Sequence, residues 1–433
     1  MTKTDFDTIV VGGGMAGSAA AIRLAQKGVD VLLVERADEG GAKNLSGGVL
    51  WGDDLAAILP DWKEQMPVER PISNKKVGFL GDGNAFVIDY HDESLKTDTI
   101  GHSVLRAKTD AWLLKQAEEA GATVVTGVNV EGLHKVNGKV AGVEQGGEIT
   151  TGRVTIIADG ANSRLTLEGD LRHGQQKLDA HHYALGVKEI LKLPKDVMED
   201  RFLTGDDGGM AGEFVLGRKD GIMAGGFLYT NQDSLSLGVV VNLPSLANNK
   251  AVTTHDLVEH FRLHPYIAKL TKDAELEEYG AHLVPEGGYQ AFSELSADGA
   301  LVVGDAAGFC FSNGIVIQGM NYGVKSGIAA ADAAAHAVEK RDATRVTLRR
   351  YEKLLEKEHV IGDFKRFQNV NKFLWNPRLF NQYPEFLANT MRGMLTVDGP
   401  KQKMKNHVFN AMNAAGVRKK DLMADALSGG MNL

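Results

Sequence analysis

The 433-residue chain has one cysteine, Cys310. That scarcity excludes an internal disulfide, a four-cysteine iron–sulfur site and a redox C-x-x-C pair within it. Prolines number only ten, and no internal repeat or low-complexity linker divides the sequence, so its lobes are expected to be tightly apposed. No stretch reaches the roughly 18 apolar residues of a membrane span. The opening "MTKTDFDTIVV" lacks a basic region and runs almost at once into a strand-like segment. It is not the pattern of a signal peptide, and a cytoplasmic location is the expectation. Positive charge is not in excess: 48 Lys and Arg stand against 56 Asp and Glu, a net charge of −8. That balance, with no base-stacking motif, argues against nucleic acid as a partner. None of the thirteen histidines falls in an H-E-x-x-H pattern. His181 and His182 are adjacent, and His260 and His264 could share one helix face. Without acidic ligands at metal spacing they read as solvated or hydrogen-bonded side chains, and no metal is expected. Any redox chemistry must therefore ride on an organic cofactor.

What is present starts with "DFDTIVVGGGMAGSAAAIRLAQKGVDVLLVER", residues 5–36. "TIVVG" is a β-branched run suited to a buried parallel strand, and "SAAAIRLAQKG" is an amphipathic helix stopped by Gly28. Between them Gly12, Gly14 and Gly17 stand in the spacing G-x-G-x-x-G. The first allows a tight turn, the second lets main chain approach a pyrophosphate, and the third lets helix and strand pack closely. The helix N-terminus then faces the phosphates. "DVLLVE" ends a second strand on Glu35, where a carboxylate suits a ribose hydroxyl pair and would repel a 2′-phosphate. A glycine turn without a ligand is the alternative.

Two further segments select the nucleotide. "TGRVTIIADGANSRL", residues 151–165, is a strand running into Asp159 and Gly160. "ADGALVVGDAAGFCFSNGIVIQGMNYGVKSGIAAADAAAHAV", from residue 297, is a strand running into Gly304 and Asp305, followed by a long small-residue helix beginning near Gly319. A flavin dinucleotide needs an acidic acceptor for its ribityl hydroxyls and a second helix N-terminus for its other phosphate. Asp305 and the helix after it supply both, although a loop aspartate capping a helix would look the same in isolation.

Together these segments resemble the flavoprotein family of para-hydroxybenzoate hydroxylase and geranylgeranyl reductase, over nearly all of residues 5–340. The resemblance implies resident FAD. It also implies an α/β fold: a Rossmann-like FAD-binding domain of the glutathione reductase/para-hydroxybenzoate hydroxylase type, an inserted antiparallel β-sheet substrate domain and a helical C-terminal region. In that family the fingerprint binds adenosine and pyrophosphate, the "GD" segment holds the ribityl chain, and the "DG" segment closes the site. "VLRAKTDAWLLKQAEEAGATVVTG", residues 104–127, matches a family segment in which Arg106 precedes a helix and contacts the cofactor; a surface arginine is the alternative. The same resemblance places Ala16, Arg36, Val130, Gly308, Met320 and Asn321 among the cofactor-binding residues.

"EGGAKNLSGGVLWGDDL", residues 39–55, is similar to the G-x-K-N-x-S-G-G segment of the FixC branch, the quinone-reducing partners of electron-transfer flavoproteins. Gly47 and Gly48 would let main chain pass against the flavin ring. Lys43 and Asn44 offer donors to a negatively charged reduced flavin, if they are not simply a polar loop. "HLVPEGGYQAF", residues 282–292, and "NGIVIQGMNYGVKSG", residues 313–327, also resemble that branch, with Gly319 lining the redox end. Its mitochondrial relative carries its own C-terminal iron–sulfur module, which a chain with one cysteine cannot. The resemblance therefore implies a separate ferredoxin-like subunit of the FixX type. Cys310 reads as a packing residue, since no His or Lys flanks it to lower its pKa; a thiol acting on the flavin is the alternative.

The motif positions give an FAD-binding lobe of residues 1–75, 102–165 and 295–340, a substrate lobe of 76–101 and 166–294, and a helical region of 341–433. "THDLVEHFRLHPYIAKLT" reads as one helix. The segment 360–397 is aromatic (Phe364, Phe367, Phe373, Trp375, Phe380, Tyr383, Phe386), with Lys365, Arg366, Lys372, Arg378 and Arg392 interleaved. Three readings stand: helices packed on the chain's own body, a membrane-surface or quinone-docking face, or a partner-docking face, to which the basic tail 401–420 would attract an acidic ferredoxin. The functional expectation is an FAD-dependent oxidoreductase taking electrons from an electron-transfer flavoprotein to a quinone. The alternatives are an NAD(P)H-dependent monooxygenase, an isoprenoid reductase, or a non-catalytic flavin relay subunit.

Overall fold

A computed structural model describes residues 4–44, 47–96, 101–173, 177–205, 207–218 and 220–433. Strand Phe6–Val11 runs parallel to Val31–Val34 on one side and to Glu148–Ile157 on the other. Thr123–Val125 and Ala300–Val302 extend the parallel set outward. Ile9 and Val10 are fully buried, as expected of a parallel sheet with both faces covered by helices. Helix Met15–Gln26 ends as read: Gly28 takes φ +72°, and the Val29 N–H returns to Leu24 O, closing the last turn. The small-residue helix is Met320–Lys340, and it lies against Met15–Gln26. A Cβ on Gly327 would sit 2.2 Å from Ala16 O, so glycine there sets how closely the two helices approach.

The second sheet has nine strands, in the order Glu275–Pro285, Tyr183–Lys192, Ser234–Asn242, Ala224–Thr230, Gly209–Leu216, Val68–Gly81, Gly101–Leu105, Gly47–Trp51, with Asn84–His91 also on Val68–Gly81. Its pairings are antiparallel except one: Gly209–Leu216 runs parallel to Val68–Gly81. The expectation of a purely antiparallel sheet is corrected there. The chain enters this sheet twice in the same direction, and parallel neighbours need a long crossover; here a whole FAD-lobe excursion supplies it. Gly47–Trp51 and Gly101–Leu105 pair with each other in this sheet, although the motif positions assigned residues 47–51 and 102–105 to the FAD-binding lobe. A short β-run in sequence does not reveal its partner strand, and here each run pairs with the other far along the chain.

Helices Thr254–Leu263 and Pro265–Leu270 cover one face of the sheet, burying Phe214, Leu228, Leu237 and Phe261. They replace the single helix expected, because Pro265 excludes its predecessor from helical geometry and His264 adopts φ −56°, ψ 131°. His264 therefore shares no helix face with His260. Its Nε2 lies 2.9 Å from Gly81 O, and its Nδ1 accepts the Tyr266 N–H at 3.2 Å.

The C-terminal region is helical, and its aromatic residues turn inward. Phe364 is buried among Phe292, Phe309, Phe311 and Tyr322. Phe380 and Tyr383 are buried with Phe373, Trp375 and Phe386 against Phe79 and Val215 of the second sheet. Arg378 forms a two-pronged pair with Asp425, which also accepts the Tyr383 hydroxyl. Packing on the chain's own body thus accounts for the aromatics. Exposed apolar side chains in this region are others: Met394, Leu395, Val397, Met404, Phe409, Met423, Leu427 and Met431. No helix among the described residues is long and apolar enough to cross a membrane.

Candidate active site

A cleft between the two sheets opens on the glycine loop. The three glycines have three different reasons. Gly12 holds φ +107°, and its Cβ would lie 2.3 Å from Ala158 O. A Cβ on Gly17 would lie 1.8 Å from Gly12 O, so this position does not face the cleft; it lets helix Met15–Gln26 sit on the strand. Gly14 differs from both. Its Cβ would meet nothing nearer than Arg106 Nη2 at 3.5 Å, so the space that its missing side chain leaves belongs to the cleft. Gly14 is also the N-cap of a twelve-residue helix and carries no side-chain cap. The first N–H groups of that helix are thus available to an anion.

Glu35 lines the cleft with both carboxylate oxygens anchored: Oε2 accepts the Gly13 N–H at 2.7 Å and Oε1 the Ala37 N–H at 2.8 Å. Each oxygen keeps a further lone pair for a diol. Ala16, Arg36 and Val130 line the same end. Arg106 begins helix Arg106–Glu119, and its guanidinium is not a loose surface group. It grips Asp110 one turn on, at 2.8 and 2.7 Å. Asp110 is fully buried and also accepts the Asn44 side-chain amide at 2.9 Å. That bond uses one of the two Asn44 amide N–H groups to tie its loop to the helix, and the side chain lines the cleft. Lys43, beside it, is exposed at the cleft. The motif residues Leu45 and Ser46 lie outside the described residues.

Beyond the glycine loop the wall is built from both lobes, and Asp159 stands at its start, with its Cα 3.3 Å from where a Gly12 Cβ would lie. Asp159 accepts the Leu165 N–H at 3.3 Å through Oδ2, while its Oδ1 is buried without a hydrogen-bond partner among the described residues. Burial pushes its carboxyl up. Gly160 beside it takes φ +83°. Asp305 lies in the short turn Gly304–Ala307, bounded by Gly304 at φ +58° and Gly308 at φ +90°. Gly304 and Gly308 serve backbone conformation and, with Asn321, stand behind the cleft wall. Burial raises the Asp305 carboxyl against the opposing pull of His282, Arg106 and Lys188.

Gly319 caps helix Met320–Lys340, and a Cβ there would meet only Asp305 Oδ1 at 3.6 Å and Cys310 Sγ at 4.0 Å. Gly48 likewise faces only the tip of Met320, at 3.1 Å. Gly47 does not share that openness, since its Cβ would strike Ser236 Oγ at 2.4 Å and Val104 O at 2.8 Å. It lines the cleft, but its missing side chain is required by strand packing.

Two side chains of the second sheet reach the same end, and sequence reasoning did not single them out: Lys188 and His282. Burial, with Arg106 nearby, lowers the Lys188 ammonium to about 8. Its Nζ lies 5.9 Å from the centre of the Phe227 ring. No local pattern marks Lys188, because its partners come from strands far away in sequence. Asp110 did carry a signal, the four-residue spacing from Arg106. Cys310 also borders this end, but burial and then the charges of Asp305 and Glu286 push its thiol well above the usual range, which suits packing and not attack.

The open cradles at Gly14, Gly48 and Gly319, the anchored Glu35, and the acceptors Asp159 and Asp305 fit an FAD molecule lying along the cleft. Residues 7–70 and 100–337 match the family model described as FAD dependent oxidoreductase, and the chain is of that class. Residues 370–432 match the ETF-QO/FixC family C-terminal domain. The chain is 41% identical to Protein FixC of Salmonella typhimurium over 432 residues, 99% of each. It is 40% identical, over 99% of each chain, to an Escherichia coli protein named "probable electron transfer flavoprotein-quinone oxidoreductase YdiS". It belongs to the FixC/ETF-QO family. Among solved structures, a geranylgeranyl bacteriochlorophyll reductase-like protein from Thermoplasma acidophilum superposes with a TM-score of 0.71 at 20% identity, covering 94% of this chain and 95% of that one. The flavin-dependent brominase Bmp2 gives 0.65 at 18% identity, covering 98% of each. At those identities the likeness is one of fold.

Proposed function

We propose that this FAD-dependent oxidoreductase accepts electrons from an electron-transfer flavoprotein and passes them to a quinone, working beside a separate ferredoxin-like subunit. The observation that carries this reading is the full-length likeness to the relative named as such an oxidoreductase. When bound, FAD supplies the capacity to hold two electrons and release them. The chain's residues supply position and charge. Gly14 and the helix behind it receive the pyrophosphate, Glu35 the ribose and Asp305 the ribityl hydroxyls, while Asp159 closes the site beside the glycine loop. Arg106, held rigid by Asp110, adds positive charge over the phosphates. Gly48 and Gly319 leave the ring its space, and Lys188 places a cation where negative charge develops.

One cysteine cannot hold an iron–sulfur cluster, which supports placing such a cluster on a partner. The exposed apolar side chains of the C-terminal helices support peripheral contact with the membrane that holds the quinone. FAD-loaded protein, photoreduced without oxygen and mixed with a short-chain quinone, is expected to regain its oxidised spectrum in a saturable step. No reoxidation faster than that of free reduced FAD would remove the quinone from the proposal.

A further inference from the structure

The first turns of helix Arg106–Glu119 form a junction between the two ends of the cleft. Asp110 is fully buried there, and N–H donors from two segments converge on it. Its Oδ1 accepts Arg106 Nε at 2.8 Å. Its Oδ2 is shared, accepting Arg106 Nη2 at 2.7 Å and Asn44 Nδ2 at 2.9 Å. Each of those two nitrogens keeps a second N–H. Arg106 Nη2 is also the atom that faces the open side of Gly14, 3.5 Å from where a Cβ would lie, which is the phosphate end. Asn44 lines the cleft on the loop that leads to Gly47 and Gly48, at the ring end.

The main chain around this junction is held on both sides. A Cβ on Gly41, which has φ +79°, would lie 2.5 Å from Arg106 O, and one on Gly40 would lie 2.9 Å from Ala111 Cα. The loop therefore rests directly on the helix backbone. On the other side Lys108 Nζ pairs with Glu69 Oε1 at 2.9 Å, and Glu69 Oε2 accepts the Gln232 N–H of the second sheet at 2.9 Å. What is left to adjust is the Asp110 carboxylate and its donors. An oxygen shared by two donors in a buried site links them, so that whatever orients one orients the other.

We propose that Asp110 is a positioning residue that couples the two ends of the cofactor site. Phosphate held by Arg106 fixes the guanidinium, the guanidinium fixes the Asp110 carboxylate, and the carboxylate sets the free Asn44 N–H toward the ring. The coupling is reciprocal: a ring engaged by Asn44 strengthens the hold of Arg106 on the phosphates by the same factor. The inference rests on the cofactor placement given above and not on the electron donor or acceptor.

A double-mutant cycle on the FAD-loaded protein tests it, read by the rate at which the fluorescence of released FAD appears. Arg106→Lys keeps the charge that buried Asp110 needs but cannot make the two-pronged bond. Asn44→Ala removes the amide. Each alone is expected to speed release, and the double variant to fall short of the product of the two effects by roughly fivefold. With Asp110→Asn added, the two effects should multiply. The midpoint potential of the same loaded proteins reads the ring end. Arg106→Lys leaves the charge at the phosphates unchanged, so it should shift the potential when Asn44 is present and not in Asn44→Ala. Release effects that multiply with Asp110 in place, or a potential change that is the same with and without Asn44, would overturn the coupling. A shortfall that persists in Asp110→Asn would overturn the assignment to Asp110; if that variant does not fold, the Arg106→Lys and Asn44→Ala cycle decides alone. Unchanged release in both single variants would remove the cofactor from these residues, and the coupling with it.

Discussion

Gly14→Val is expected to yield a folded protein that does not retain FAD. The backbone there is φ −75°, ψ −174°, open to any residue, and a Cβ meets only Arg106 Nη2 at 3.5 Å. Valine is a poorer N-cap than glycine, so the cofactor-free protein should lose no more than about 1 kcal/mol. Its methyls would stand where the pyrophosphate must approach main chain. Affinity should fall at least about 100-fold, close to 3 kcal/mol, by titration of cofactor-free protein with FAD. Gly17→Ala is the contrast: its Cβ would collide with Gly12 O whether or not FAD is bound, so the fold itself should suffer. Equal stability loss in both variants, with FAD affinity intact in Gly14→Val, would mean that the glycines serve packing alone.

Lys188→Met is expected to lower turnover with quinone at pH 7 by roughly 100-fold, the scale of removing one preorganised charge-stabilising donor. The gap between wild type and variant should close as pH rises through about 8, where Lys188 loses its proton. The stability of the cofactor-free protein should move in a linked way. The folded ammonium binds its proton less tightly than the unfolded one. Stability of the wild type therefore carries a penalty below about pH 8 that is relieved between about 8 and 10.5. Lys188→Met should lack that rise in a series of melting curves. A turnover defect that is the same at pH 7 and pH 9.5 would assign Lys188 to packing against Phe227.

The dinucleotide loop is legible in sequence because its spacing encodes main-chain requirements: Gly12 and Gly17 answer to carbonyls a few ångströms away, and Glu35 to the N–H of Gly13. Such local constraints survive without knowledge of the rest of the fold. Lys188 has no such neighbourhood. It is one lysine on an alternating strand, and what makes it a cleft residue is the Rossmann layer packed opposite. Gly47 and Gly48 are adjacent and look equivalent, yet Ser236 and Val104 fill the space at one and only Met320 approaches the other. The aromatic segment misleads in the opposite way. Aromatics interleaved with basic residues suit a membrane face, but Phe380 and Tyr383 are core residues of the C-terminal helices, and the exposed apolar positions are held mostly by methionines and leucines, with Val397 and Phe409.

The most direct measurement is the anaerobic spectrum of the FAD-loaded protein after mixing with reduced electron-transfer flavoprotein and, separately, with NADH and NADPH. The account predicts rapid bleaching of the flavin by the protein donor and an oxidised spectrum with both nicotinamides. Rapid bleaching by either nicotinamide, with no response to the flavoprotein, would contradict it and place the chain with the nicotinamide-driven enzymes of the same fold.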